Sequence, residues 1–436
     1  MSGKVRGVLI DISPLRESVA FRRIFCARLI SIIGIGLLMV SVPIQMYDLT
    51  GSSAQVGAAT AVTGITTFVG MLVGGVLADR FDRKKLILLG RSGAALSFVG
   101  LALNAFGVFG PTSVAALYVL AGVDGLIGSL STSALMAAVP TLIPRDKLVA
   151  VGALSSLTVR VGTAISPAIA GFVIAAAGVE WAYTLAAILA TLTVVILLGL
   201  PSMPPNAATL GAHSQSPDGP ADVNAADAAH RDAPQSLVGF LTSQRVVLGV
   251  MIVGVLAMLG AGLVALLPAL VAQRFDGDAR ATGLLYAAVA CGAMLGALTS
   301  GWLAGVRRPG VVLLSALAGA AVVQIFFGFA PVAWVAIVAL CVVGYLEATQ
   351  EVLRYSLIQH HTPGPLLGRV NGIWMAQEVG GVTVGALVAG VFGTIWTASD
   401  AIVYYGLALL VLSIIAAVVL RTLVAVRNDT AVQSIS

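Results

Sequence analysis

Twelve times along this chain an apolar run of about 20 residues or more, long enough to cross a bilayer, is broken by a short polar or charged stretch. The runs fall near 24–47, 53–78, 84–107, 111–139, 148–177 and 180–200, then near 244–272, 280–305, 310–330, 332–360, 366–394 and 399–424. Inside hydrocarbon every backbone N–H and C=O must find a partner within the protein, which helices achieve without closing a barrel. The expected fold is therefore an all-α membrane protein with twelve transmembrane helices in two six-helix bundles. Composition agrees: 58% of residues are hydrophobic and 10% charged, against roughly 25% charged in soluble domains. The net charge of +5 sits in short inter-span loops rather than on one face, so it reads as topology and not as a nucleic-acid surface.

The expected divisions are a cytoplasmic N-terminal segment at 1–20, a first bundle at 21–200, a cytoplasmic linker at 201–243, a second bundle at 244–424 and a cytoplasmic tail at 425–436. Ser13-Pro14 suits the start of a short surface helix. The linker, rich in Pro, Ala, Asp and Ser over 201–236, is too polar to build a core and reads as a flexible tether. Loops on one side carry Arg80, Arg83, Lys84, Lys85, Arg145, Lys147, Arg231, Arg307, Arg308 and Arg369, while the opposite loops carry Arg274 and Arg280. That bias predicts an inner-membrane protein with both termini cytoplasmic. Cys26, Cys291 and Cys341 lie far apart within apolar segments, reading as packing residues with no disulfide framework or metal site. No nucleophile-base set, phosphate-cradling loop or metal cluster appears, so neither an enzyme nor a cofactor is expected.

The densest charge cluster joins the second run to the third: Gly74-Gly75-Val76-Leu77-Ala78-Asp79-Arg80-Phe81-Asp82-Arg83-Lys84-Lys85. Small residues before it let helices approach closely. Gly75, Leu77, Ala78, Asp79, Arg80, Arg83 and Lys84 resemble the signature loop of the major facilitator superfamily, with Asp82 where that family usually has glycine. The resemblance implies a conformational switch, in which Asp79 and Arg80 reach a neighbouring helix in one transport state. Gly296 to Ala304 echoes Gly70 to Ala78, with Arg307-Arg308 in place of the basic turn. Parallel repeats of six helices place a substrate site near the midplane between the halves.

Ionisable side chains at mid-bilayer are costly, so each is a functional candidate. Those read here are Arg28, Asp124, Arg160, Glu347, Glu351 and Glu378, on spans 1, 4, 5, 10 and 11, with none expected on spans 3, 6, 9 and 12. Asp124 and Arg160 lie about 30 Å and 24 Å along their helices from Pro144, at 1.5 Å per residue, so they are expected to meet. Their pair is either a static brace or one that substrate or proton opens. Glu347, Glu351 and Arg354 share a helix face at i, i+4 and i+7, with Arg354 expected to snorkel or pair with Glu351. Glu347 is a candidate proton carrier and Glu378 an alternative.

The fifth run contains Val161 to Gly171, a small-residue stretch that permits close packing and a bend. Its Gly162, Pro167 and Gly171 are similar to the superfamily's antiporter motif, and Ala121 stands where that family usually has a fourth-helix arginine. Beyond the superfamily, stretches such as Ala27 to Ser31, Phe68 to Leu89, Leu157 to Gly162 and Gly368 to Gly372 resemble the bacterial enterobactin (siderophore) exporters. Departures from them fall in the linker, at Glu347 and Glu351, and at Glu378. This resemblance implies proton-driven export of a catecholate siderophore by a monomer in the lipid bilayer. It also implies that Arg28 and Arg160 hold a phenolate while Phe68, Tyr286 and Trp374 stack on aromatic rings. The added carboxylates leave open multidrug/proton antiport of lipophilic cations.

Overall fold

The protein is described by a computed structural model covering residues 13–143, 147–204 and 237–427. The tether beyond residue 204, Arg145 and Arg231 lie outside the described residues. Twelve helices are long and apolar enough to span a membrane. They are α1 (Val19–Thr50), α2 (Ser53–Arg80), α3 (Arg83–Ala105), α4 (Val114–Met136), α5 (Ala150–Ala177) and α6 (Val179–Leu198). The second six are α7 (Arg245–Arg274), α8 (Ala279–Leu298), α9 (Pro309–Gly328), α10 (Ala333–His361), α11 (Leu366–Ile395) and α12 (Ala398–Val419). A short helix, Ser13–Glu17, precedes α1, as the Ser-Pro pair foretells. Among the described residues there is no strand.

Helix ends follow local chemistry. Ser18, Asp82, Ser113, Asp278 and Thr397 each cap a span by accepting a backbone N–H with the side chain. Gly51 closes α1 at φ +62°, a left-handed value that suits glycine and turns the chain directly into α2. The eighth run ends earlier than its apolar sequence suggests. Its regular helix stops at Leu298, and Ser300–Gly305 tightens into a 3₁₀ segment.

Helix pairing repeats with a period of six. In the first half α1 packs on α5, α2 on α4, α3 on α4 and α3 on α6; in the second, α7 packs on α11, α8 on α10, α9 on α10 and α9 on α12. The halves meet along two related seams, α2 against α11 and α5 against α8. Outward faces carry large apolar side chains, including Leu96 of α3, Val195 of α6, Phe326 of α9 and Val419 of α12, each more than half exposed. Patches of that size belong in lipid, so every third helix presents an outer wall to the bilayer.

Both seams close only at the end opposite the termini. A Cβ on Gly171 of α5 would sit 2.6 Å from the Ala279 carbonyl oxygen and 2.9 Å from Gly283 Cα on α8. A Cβ on Gly390 of α11 would sit 2.8 Å from the Ser53 carbonyl oxygen on α2. At the end carrying the termini, Gly75 of α2, Gly152 of α5, Gly368 and Gly372 of α11, and Gly301 in the 3₁₀ segment after α8 have open space where a Cβ would point. The molecule is thus closed at the far end and open at the termini end.

Candidate functional site

Three adjoining cavities run from the open mouth toward the closed seam. The outermost, about 500 Å³, is lined by Arg28, Ser31, Arg91, Thr132, Gly152 and Ser155, among others. It shares Ser31, Ile35, Arg91 and Thr132 with a second cavity of about 240 Å³ that reaches Asp124. That one shares Ile35, Thr63, Thr67 and Asp124 with an innermost, largely apolar cavity of about 330 Å³, where Pro43, Tyr286 and Thr383 also contribute. Thr60, Thr63 and Thr67 stand on one face of α2 by their spacing of three and four. Thr60 and Thr63 donate to the carbonyls of Val56 and Ala59, both at 3.0 Å, which leaves hydroxyl lone pairs to accept from a guest.

Asp124 sits where α4 loosens into a π-helical turn, Asp124–Gly128. Such turns often mark working positions inside helices. The arginine beside it is Arg91 of α3, whose charge interacts with that of Asp124 and in turn with that of Arg28. This corrects two expectations. Arg160 is not the partner of Asp124: its guanidinium points across the gap between halves to Glu351 of α10, 3.9 Å away. Span 3, expected to hold no deep charge, holds Arg91. The signal was present in the sequence, because Arg91 lies eight residues beyond Arg83, about 12 Å into the helix. The groove thus combines two guanidinium groups with one carboxylate.

The second half carries the opposite imbalance. Arg354, 3% exposed, donates to Glu378 at 3.2 Å, not to Glu351, and lies 5.2 Å from the ring centroid of Trp374. A buried guanidinium is held inward by its partners, which is why it does not snorkel. Trp374 donates from its indole nitrogen to the same Glu378 oxygen at 2.9 Å, and its ring meets Tyr355 edge-on at 6.0 Å. Glu347 interacts electrostatically with Arg354, Glu378 and Glu351, and it lines a small chamber with Gln324, Gln350 and Ser413.

The aromatic candidates separate. Tyr286 lines the innermost cavity and donates to the Val264 carbonyl at 2.9 Å. Trp374 belongs to the Arg354 network, and Phe68 is partly exposed on α2 and lines none of these three cavities. Gly162 packs on Ile32 of α1, while Pro167 and Gly171 form the α5 side of the α5–α8 seam. In the switch loop Gly75, Asp79 and Arg80 are exposed and Arg83 and Lys84 half-buried. Asp82 accepts from Lys84 N at 2.8 Å and from the Ser202 hydroxyl. Arg83 N donates to the Met203 carbonyl at 3.0 Å, so the first residues after α6 are pinned to the loop. Slight burial pushes the Asp82 carboxyl up, but hydrogen bonds from Ser202 and from the backbone of Met203, Lys84 and Lys85 outweigh it and hold the group below its ordinary range.

Comparison with known proteins places this geometry. The family described as transmembrane secretion effector matches residues 10–435. The chain is 40% identical over 416 residues, 94% of each protein, to the enterobactin exporter EntS of Escherichia coli O1:K1 / APEC. It is equally similar, 40% over 416 residues and 94% of each chain, to the protein of that name from Shigella boydii serotype 18. Among solved structures, the nucleoside transporter NupG superimposes with a TM-score of 0.65 at 14% identity, covering 93% of this chain and 99% of that one. The peptide transporter POT in complex with sulfate gives 0.68 at 14% identity, covering 93% and 95%. Identity that low speaks to the fold alone.

Proposed function

The chain belongs to the major facilitator superfamily, in its transmembrane secretion effector family, and from that premise we propose that it exports a catecholate siderophore across the inner membrane by proton antiport. A multi-pass membrane transporter is what its relatives are; the substrate, the proton and the direction are this reading. One observation carries it. The groove is apolar along most of its length, yet it sets Arg28 and Arg91 against a single carboxylate, Asp124. Such a site suits a large aromatic guest with acidic hydroxyls: the walls cover the rings and the surplus guanidinium charge meets a phenolate. The 40% identity to enterobactin exporters over nearly the whole chain supports the same substrate class.

With both termini cytoplasmic, the open mouth faces the cytoplasm, the loading state of an exporter. The halves then rock about the α2–α11 and α5–α8 seams, as alternating access requires. Asp79 and Arg80, exposed while the termini end is open, become contacts when it closes. Protons enter the cycle through Asp124 or through the carboxylates of the second half. A monomer suffices, because the groove is built entirely from one chain.

The test is transport in proteoliposomes with an imposed pH gradient, comparing a ferric-free catecholate siderophore with an ethidium-like cation. Gradient-dependent movement of the catecholate and not of the cation is expected. Movement of the cation alone would overturn the reading in favour of a multidrug antiporter, which the carboxylates Glu347, Glu351 and Glu378 would then serve.

A further inference from the structure

The second half contains a polar chamber that the groove does not reach. It measures about 20 Å³ and is lined by Gln324 of α9, Glu347 and Gln350 of α10 and Ser413 of α12, closed by apolar residues including Leu256 and Ala257 of α7. Its two amides are almost wholly covered, Gln324 at 3% exposure and Gln350 at 1%. Gln324 Nε2 and Gln350 Oε1 are nevertheless both without a hydrogen-bond partner within the protein. Unpaired buried amides are expensive and rare, and here one is a donor, the other an acceptor, on the wall of one space. Ser413 turns its hydrogen away to the Leu409 carbonyl at 2.7 Å, so its oxygen is left to accept.

A guest for this space must be small, accept from an amide and donate to an amide oxygen and a carboxylate. Water does all three, and about 10–15 Å³ is enough for one molecule. A bare metal cation accepts nothing and is repelled by the Gln324 amide hydrogens. The charged groups facing Glu347 are Arg354 and Glu351 on its own helix and Glu378 on α11. Among the described residues lining the chamber, α9 and α12 add the polar side chains of Gln324 and Ser413, α7 adds apolar side chains and Gly260, and α8 adds none. Arg354 is therefore bonded to Glu378 and interacts electrostatically with Glu347 as well, while Glu351 has Arg160. With both carboxylates ionised this half-buried cluster carries one uncompensated negative charge, and one added proton cancels it.

We infer that this chamber holds a single internal water and that Glu347, hydrated by it, is the proton-loading group of the second half, physically separate from the substrate groove. In the loading step the Glu347 carboxylate takes a proton from a hydronium arriving from the aqueous side with the higher proton activity. The carboxylic acid forms, water remains, and the guanidinium of Arg354 is left to Glu378. Release on the other side reverses the step, so one proton is carried per cycle and no other reactant is consumed. The inference rests on the proton-antiport reading for its role in transport, but the chamber itself is testable without any substrate.

The experiment is infrared difference spectroscopy on the full chain in proteoliposomes after a pH jump, without siderophore, in H₂O and in D₂O. Wild-type protein is expected to show a protonated-carboxyl band that shifts in D₂O, and E347Q to lose it. E378Q, which leaves Arg354 to Glu347 alone, is expected to keep the band but to bring it up only after a jump to stronger acid, and Q324L, which removes the amide donor without touching a carboxyl, to displace it. A band that survives E347Q, or that E378Q abolishes at every pH, overturns the assignment; a band unmoved by Q324L overturns the shared water. Thermal melts of each variant confirm folding, and Q324L supplies the answer on the chamber should E347Q fail to fold. Siderophore transport is measured in parallel, where E347Q is expected to lower gradient-driven export at least tenfold. If wild type shows the band but moves no catecholate, the proposed function falls and the chamber stands. If export proceeds and E347Q changes neither band nor rate, the chamber falls and the function stands.

Discussion

Replacing Gly283 by alanine plants a methyl group in the α5–α8 seam. A Cβ there would lie 2.5 Å from the Pro167 carbonyl oxygen and 2.7 Å from Gly171 Cα. Ordinary C···O contacts stop near 3.3 Å, so the helices must part by about 0.8 Å. Every atom in the way is backbone, hence no rotamer change relieves the clash. Overpacking of this kind costs about 1–3 kcal/mol. The cost falls on the conformation closed at the far end, because the seam separates in the opposite state. At about 1.4 kcal/mol per tenfold, the equilibrium should shift toward the far-end-open state by roughly 5- to 150-fold. Spin labels at the far ends of α5 and α8, read by electron–electron distance measurements, would show a longer population growing at the expense of the short one. Gly301→Ala, placed in open space in this conformation, is the matched control and should leave the distribution unchanged. A G283A protein that folds and keeps the wild-type distances would refute the idea that this seam holds the far end shut.

Asp124→Asn should abolish gradient-driven export and lower the melting temperature, since it leaves the Arg91 guanidinium without the opposite charge that interacts with it in the same cavity; adding Arg91→Gln should recover the melt but not the transport. Arg160 and Glu351, with side chains 35% and 51% exposed, should show a coupling of no more than about 1 kcal/mol in a double-mutant cycle on stability. Arg80→Ala should leave the melt within about 0.5 kcal/mol, as exposed substitutions do, while slowing turnover measured by exchange, because its contacts belong to the other state. The Asp82 carboxyl is held below its ordinary value by Ser202 and three backbone N–H groups. The stability those bonds add is therefore fully present above the unfolded value near 3.9 and disappears as pH falls through the lower folded value. Protease access to the segment after α6 should stay constant from about pH 8 to pH 5 and rise only in stronger acid, whereas Ser202→Ala should raise it throughout.

Legibility of the site divided along the same physical line as that of the fold. Gly162, Pro167 and Gly171 stood out in the sequence as a small-residue stretch, but that Gly171 meets Gly283 across the halves is a matter of which helices become neighbours. Asp124, Glu347 and Glu378 were conspicuous as carboxyls within apolar runs, yet their partners were not. In the sequence, the basic cluster at the start of α3 masks Arg91, a charge two turns further in. By position Arg354 lies toward the membrane surface, and only the packing of both α10 and α11 on α7 turns it inward to Glu378 and Trp374.

The number of spans, the loop that bears the basic signature and the twofold repeat of six helices were determined by the sequence alone. The reason is that backbone hydrogen bonding in lipid is satisfied within each helix, so the demand it makes is local and visible in consecutive residues. Which face of each helix turns inward, and hence that Asp124 shares a cavity with Arg91 and Arg160 reaches Glu351, was decided only by the tertiary structure. Lipid tails are as apolar as the side chains they touch and give little rotational guidance. Helix azimuths are set instead by where glycine and serine let two backbones approach, a property of pairs of helices that no single stretch contains.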